Sequence, residues 1–228
     1  MPPPVKLSLF YDITSPWSYI AFEALRRYTR PWNLQLDLRP MFLGAVHLKC
    51  GNQAPASVPN KAKWMADDLD ILAQLYSLDM KLPPGFPFNK EYNTLNVMRF
   101  MRVLRMHKPE VLEEATKRLY EEFFSRNTPT ASPAFLGSLS SPPALLTPDE
   151  LTHLTTLSQS AENKALLRSE AEALADEGAF GFPWIVLRRT DGGEHSFFGS
   201  DRMQSISFWL GKEYPYVGVD PEGLKSRM

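Results

Sequence analysis

Hydrophobic and polar positions change rhythm three times along this chain. Residues 5 to 11 begin by alternating, as in Lys6-Leu7-Ser8-Leu9, and end fully apolar at Phe10-Tyr11, which predicts a largely buried strand over Val5–Tyr11. Ser15-Pro16 follows, with serine in an N-cap position and proline in the first helical one. Ile20, Ala24, Leu25 and Tyr28 then recur at helical spacing, predicting an amphipathic helix over Trp17–Arg30. Asn33 breaks the stripe, and Leu34–Pro40 alternates strictly as a second strand. Strand, helix and strand in such short order form a βαβ unit, so the two strands run parallel.

From about Lys61 to Gly178 the rhythm is helical, with turn-rich breaks. Trp64, Leu69, Leu72, Leu75 and Tyr76 mark one helix, and Leu95, Met98, Met101 and Leu104 a second. A third carries Val111, Leu112, Ala115, Leu119 and Phe123 behind Pro109-Glu110. Thr147-Pro148-Asp149-Glu150 spells a capping box, and Gly178 stands where a glycine closes a helix ending near Glu177. Pro83-Pro84-Gly85 reads as a turn, and the Ser/Pro/Thr-rich stretch Ser125–Pro143 as a poorly ordered loop.

After Gly178 the strand rhythm returns. Phe182–Leu187 reads as a buried strand, Asp191-Gly192-Gly193 as a hairpin turn and His195–Phe198 as the partner strand. Ser200-Asp201 reads as the cap of a last helix with Met203, Ile206 and Leu210 inward, stopping at Gly211. The outer β-α-β and β-β-α pieces must join in one sheet, because neither alone buries both its faces.

Composition narrows the function classes. Net charge is −1, from 25 basic and 26 acidic residues, so neither nucleic acid nor an anionic membrane is an evident partner. No apolar run approaches the roughly 18 residues of a membrane span. Met1-Pro2-Pro3-Pro4 lacks the features of a secretory leader. One cysteine, Cys50, leaves no internal disulfide and fits a reducing compartment. His47, His107, His153 and His195 are scattered without a second cysteine, which argues against a metal site. The terminal Ser226-Arg227-Met228 is a variant of the S-K-L peroxisomal address; peroxisome, mitochondrion and cytosol remain the candidate compartments.

Five segments, in this order, resemble kappa-class glutathione transferases: Phe10–Ser18, Gly51–Pro55, Met65–Leu69, Gly178–Pro183 and Phe198–Met203. The resemblance implies an α/β, thioredoxin-like domain interrupted by an all-helical insertion domain. Residues 1–45 and 178–228 would form the first, and residues 46–177 the second. Ser15-Pro16-Trp17-Ser18 stands where thioredoxin-like folds hold a C-x-x-C pair, yet both its ends are serine. A serine forms no disulfide, but it donates a hydrogen bond to a thiolate that another molecule supplies. By its local sequence alone Ser15 is a simple N-cap; its place at the βα turn makes it the candidate catalytic residue.

The resemblance implies glutathione as co-substrate, no metal, a hydrophobic electrophile as second reactant, some peroxide reduction, and a homodimer. Ser15, Pro16, Trp17 and Ser18 would face the tripeptide. Phe182-Pro183, cis in the resembling fold, would pair with its cysteinyl backbone. Ser200 and Asp201 would meet the γ-glutamyl end, and Asn52 and Lys61 the glycyl carboxylate. Each has a plainer reading: a strand-opening proline, helix capping, a Gly-Asn turn, a surface lysine. Trp64, Met98, Phe100, Met101 and Met106 have the spacing of core residues rather than of an electrophile pocket, and Cys50 reads as a bystander. Glu113-Glu114 and Glu121-Glu122 read as a solvated helix face.

A free thiol of pKa about 8.5 is mostly protonated at neutral pH. A hydrogen bond to a charged sulfur contributes roughly 1.5–3 kcal/mol, and a helix N-terminus roughly 0.3–2 kcal/mol. At about 1.4 kcal/mol per pKa unit, the two lower the thiol pKa by roughly one to three units. Two rivals share the fold: a glutathione-dependent isomerase of an aromatic-degradation intermediate, and a non-catalytic binder of glutathione or peptides. A disulfide oxidoreductase lacks its cysteines.

Overall fold

Strand β1 (Val5–Tyr11) buries Val5, Leu7, Leu9 and Tyr11 on one side and turns Lys6, Ser8 and Phe10 to the other, as the alternation requires. A computed structural model describes residues 2–218. Ser226-Arg227-Met228, on which the peroxisomal expectation rests, lies outside the described residues. β1 pairs in parallel with β2 (Leu34–Pro40), Leu7 lying opposite Leu36. On its other side β1 meets β3 (Trp184–Arg188) antiparallel, and β3 meets β4 (Glu194–Phe198). The order β2-β1-β3-β4 joins the two outer pieces of the chain in one sheet. This is the mixed α/β, thioredoxin-like arrangement that the motif order implied.

Helix α1 (Pro16–Tyr28) links β1 to β2 and buries Tyr19, Ile20, Phe22 and Leu25. It starts one residue before the sequence reading and stops two earlier. Thr29 turns its hydroxyl back onto the Arg26 carbonyl (2.7 Å), and Asn33 takes a left-handed φ of 47°. Between β2 and β3 stand α2 (Leu43–Cys50), α3 (Pro59–Tyr76), α4 (Leu95–His107) and α5 (Leu112–Tyr120). α6 (Pro133–Gly137), α7 (Pro148–Ser158) and α8 (Ala161–Asp176) complete the insertion. The capping box forms: Thr147 Oγ1 accepts from Glu150 N–H, and Glu150 Oε2 accepts from Thr147 N–H. Among the described residues no helix is long and apolar enough to cross a membrane.

Three expectations need correction. Ser125–Pro143 is not a featureless loop: it holds α6 and a 3₁₀ turn over Ser138–Ser140, because Phe135 and Leu139 sink completely into the core. Arg118 then clasps the carbonyls of Ser138, Ser141 and Pro143. Glu122 is buried rather than solvated, since a π turn over Glu121–Ser125 rolls it inward, where Arg126 and the Thr128 hydroxyl hold it. Ser200 and Asp201 do not cap the last helix. α9 (Met203–Leu210) begins beyond a turn formed by these two residues, with Arg202 at its N-cap and no side-chain capping bond.

The inserted helices dock on the sheet through aromatic rings. Tyr19 of α1 stacks on Tyr120 of α5 at 4.6 Å, and the buried Tyr11 and Thr116 hydroxyls meet at 2.6 Å.

Candidate functional site

β1 ends at Tyr11, and the chain reverses through Asp12, Ile13 and Thr14 before α1 begins. Ser15 N–H donates to the Asp12 carbonyl at 3.0 Å, which closes this turn. With φ −88° and ψ 110°, Ser15 takes the extended N-cap conformation, and its Oγ accepts from Ser18 N–H at 3.2 Å. The same hydroxyl donates its single proton to the Phe182 carbonyl, 3.2 Å away and 167 residues on in the chain. The Phe182-Pro183 peptide is cis, as the resemblance implied. Pro183 returns its carbonyl to Gly199 N–H at 3.2 Å, so β4 delivers Ser200 beside it. Gly199 is obligatory: its φ is +106°, and a Cβ there would lie 2.6 Å from Asp201 Oδ1.

These pieces form one wall of a cavity of about 1050 Å³. Ser15, Pro16, Trp17, Phe182, Pro183, Ser200 and Asp201 line it on the sheet side, and Asn52 and Lys61 at another edge. Asn52 follows Gly51, whose φ of +72° ends α2. Its Nδ2 donates to the Phe180 carbonyl at 2.6 Å, and its Oδ1 accepts from Gln53 N–H at 2.8 Å. Asn52 thereby clamps the end of α2 to the segment before Pro183. Asp201 is ion-paired with Arg202.

Ser18 departs from expectation. Its side chain is wholly buried and is not among the cavity residues, and among the described residues its Oγ has no hydrogen-bond partner. Three residues beyond the N-cap, the helix has carried it round to the core side. Only its backbone N–H, aimed at Ser15, serves the site.

The far wall is apolar, and the sequence reading missed it. α3 contributes Trp64, Leu72, Leu75 and Tyr76, and the following loop Phe86 and Pro87. Trp64 is 60% exposed, so its placement in the core stripe is corrected. α3 buries Met65, Leu69, Ala73 and Tyr76 on one stripe and turns a second, Trp64, Leu72 and Leu75, to the cavity. A face wider than one stripe was the available signal. Met98, Phe100 and Met101 are core residues as expected, and the exposed Met106 lies away from this cavity. Tyr216, His47 and Cys50 also line it, without any sequence motif to mark them. Burial lowers the His47 pKa, which favours its neutral form near pH 7. Among the described residues that line the cavity, Lys61 alone carries a permanent positive charge.

Residues 6–208 match the DSBA-like thioredoxin domain family. Glutathione S-transferase kappa 1 of Rattus norvegicus is 34% identical over 229 residues, spanning 100% of this chain and 99% of the relative. The chain belongs to the kappa-class glutathione S-transferases. The Homo sapiens glutathione S-transferase kappa 1 is 32% identical over 228 residues, again 100% and 99% of the two chains. Among solved structures, a 2-hydroxychromene-2-carboxylate isomerase aligns with this kappa-class chain at a TM-score of 0.72, covering 90% of it and 94% of the isomerase. Identity there is 17%, so that likeness is one of fold alone.

Directly behind Ser15, Asp12 is fully buried, and burial pushes its carboxyl from the ordinary 3.8 up to about 6. The folded state therefore holds this proton where the unfolded chain has released it. Asp12's contribution to stability is full below about pH 4 and is lost as pH rises through about 6. Asp12→Asn removes the titration. The difference in Tm between wild type and variant should change across that window and level off above it, as thermal unfolding in a pH series would show.

Proposed function

We propose that this cavity binds glutathione and that Ser15 holds the bound thiol as thiolate for transfer to a small hydrophobic electrophile. The observation that carries this reading is the Ser15 hydroxyl: it sits at the N-terminus of α1, on the cavity wall, with no cysteine at either end of Ser15–Ser18. A serine has one proton to give, and here the Phe182 carbonyl takes it. When the tripeptide is seated, its cysteinyl N–H takes over the Phe182 carbonyl, and the Ser15 O–H turns to sulfur. Ser18 N–H keeps its bond to Ser15 Oγ through this exchange and aims the hydroxyl. Nothing is left unpaired.

The other groups divide the tripeptide. Lys61 and Asn52 meet the glycyl carboxylate, while Ser200 and the turn before α9 meet the γ-glutamyl end. Asp201 exchanges Arg202 for the ligand's ammonium. Pro16, Trp17 and Pro183 flank the cysteinyl unit. The thiol proton leaves to solvent, the thiolate forms a bond to the electrophilic carbon, and the leaving group departs with its electron pair. Peroxides are electrophilic at oxygen and suit the same thiolate. Trp64, Leu72, Leu75 and Phe86 offer the electrophile an apolar wall. With Lys61 engaged by glutathione, no second permanent cation among the described lining residues awaits a substrate carboxylate, which favours transfer over isomerisation of an aromatic acid.

The sheet face opposite the core supports a paired state. Lys6, Asp37, Arg39, Arg188 and Glu194 line a groove of about 770 Å³ there with Glu177. Three groups of each sign let a second copy meet that face without net repulsion, which supports a homodimer.

Ser15→Ala should lower turnover by roughly ten- to a hundredfold and raise the bound-thiol pKa by roughly one to two units, since the helix N-terminus remains. Steady-state kinetics with an aryl halide and ultraviolet thiolate absorbance against pH measure the two; unchanged turnover would sink the assignment. Trp64→Ala should raise KM for an aromatic electrophile by about two- to tenfold, with KM for glutathione unmoved. Sedimentation equilibrium should return twice the chain mass, against the single mass of a monomer.

A further inference from the structure

We propose that Asp12 is a positioning residue, which holds the Ser15 turn and the start of α2 in the mutual register that glutathione requires. The inference rests on the glutathione reading above. Asp12 lies where five elements meet, and no part of the transfer chemistry uses it. Its Oδ1 accepts from Thr14 N–H at 3.1 Å, which shapes the turn presenting Ser15. Its Oδ2 accepts from Leu43 N–H at 2.8 Å, at the first residue of α2.

α2 needs that acceptor. Its N-cap is Phe42, which has no side-chain oxygen to offer, so the strand-end carboxylate caps the helix from another part of the chain. The opposite end of α2 leads to Gly51 and Asn52. Thr94, buried at the start of α4, makes no capping bond to its own helix, and its hydroxyl lies near enough to Asp12 to favour the ionised carboxyl. The Asp12 carbonyl receives Ser15 N–H and, at 3.4 Å, the Tyr120 hydroxyl of α5.

One buried residue thus sets the Ser15 end of the cavity against the Asn52 end. A polar residue that merely filled the core would be indifferent to which helix starts it joined. The titratable groups facing it are the Tyr120 hydroxyl of α5 and its chain neighbour Tyr11. Arg105 of α4 is engaged by Asp37, and no ion pair to Asp12 is present among the described residues.

Asn in place of Asp keeps the shape but turns an amide NH₂ toward a donor, so either the Thr14 or the Leu43 bond must fail. In Asp12→Asn we expect KM for glutathione to rise about tenfold and the bound-thiol pKa by about one unit, while KM for the electrophile stays within about twofold. Thr94→Val removes a single donor, out of reach of the ligand, and should move the same two quantities in the same direction by less. It also serves if the Asp12 variant does not fold. Wild-type glutathione affinity and thiolate absorbance are measured alongside. A wild type that binds no glutathione, or leaves it protonated, overturns the functional reading and this inference together. A wild type that binds and ionises it, beside folded variants with unaltered KM and thiol pKa, overturns the inference alone.

Discussion

The hydrogen bond from Ser15 to the Phe182 carbonyl is the constraint on which the rest depends. It joins the turn after β1 to the segment that re-enters the sheet once the whole helical insertion has been traversed. Without the β1–β3 pairing beneath it, the two groups have no reason to meet, because loop closure over so many residues is costly in entropy. The sheet meets that cost with apolar burial at Leu7, Leu9, Ile185 and Leu187. A small polar contact at the site is therefore held in register by a large apolar one below it.

Strands and the first helix were legible because their periods are clean. Val5–Tyr11 and Leu34–Pro40 were read to the residue, and the parallel pairing followed from the helix between them. β3 starts two residues later than the pattern suggested, since Phe182 and Pro183 stay outside the ladder to face the cavity. α2 escaped notice for a physical reason: Val46 is its one buried residue, so its sequence carries no stripe.

On the sheet side, every residue singled out from the sequence except Ser18 lines the cavity, whereas the apolar wall went unread. Ser15, Asn52 and Ser200 stand at turns, where position along the chain fixes position in space. Trp64 and Leu75 stand on a helix with two apolar faces, and composition does not say which face meets neighbours and which meets a ligand. Tyr216 reaches the cavity by stacking on Tyr28, while Trp32 Nε1 holds the neighbouring Pro215 carbonyl. Neither contact follows any local pattern. Ser18 shows the opposite error, since a motif letter was read as a contact and three residues of helix turned it inward.

The two walls also come from separate stretches of chain: the sheet and its turns supply one, α3 and the loop after it the other. On α3, Trp64, Leu72 and Leu75 face the cavity from outside the buried stripe that anchors the helix, although Met65 and Tyr76 of that stripe reach it as well. Change at Trp64, Leu72 or Leu75 therefore reshapes the apolar wall while the buried stripe that anchors α3 stays in place. A lineage carrying this scaffold can broaden or narrow the range of apolar molecules that its cavity admits while Ser15 and Lys61 stay fixed.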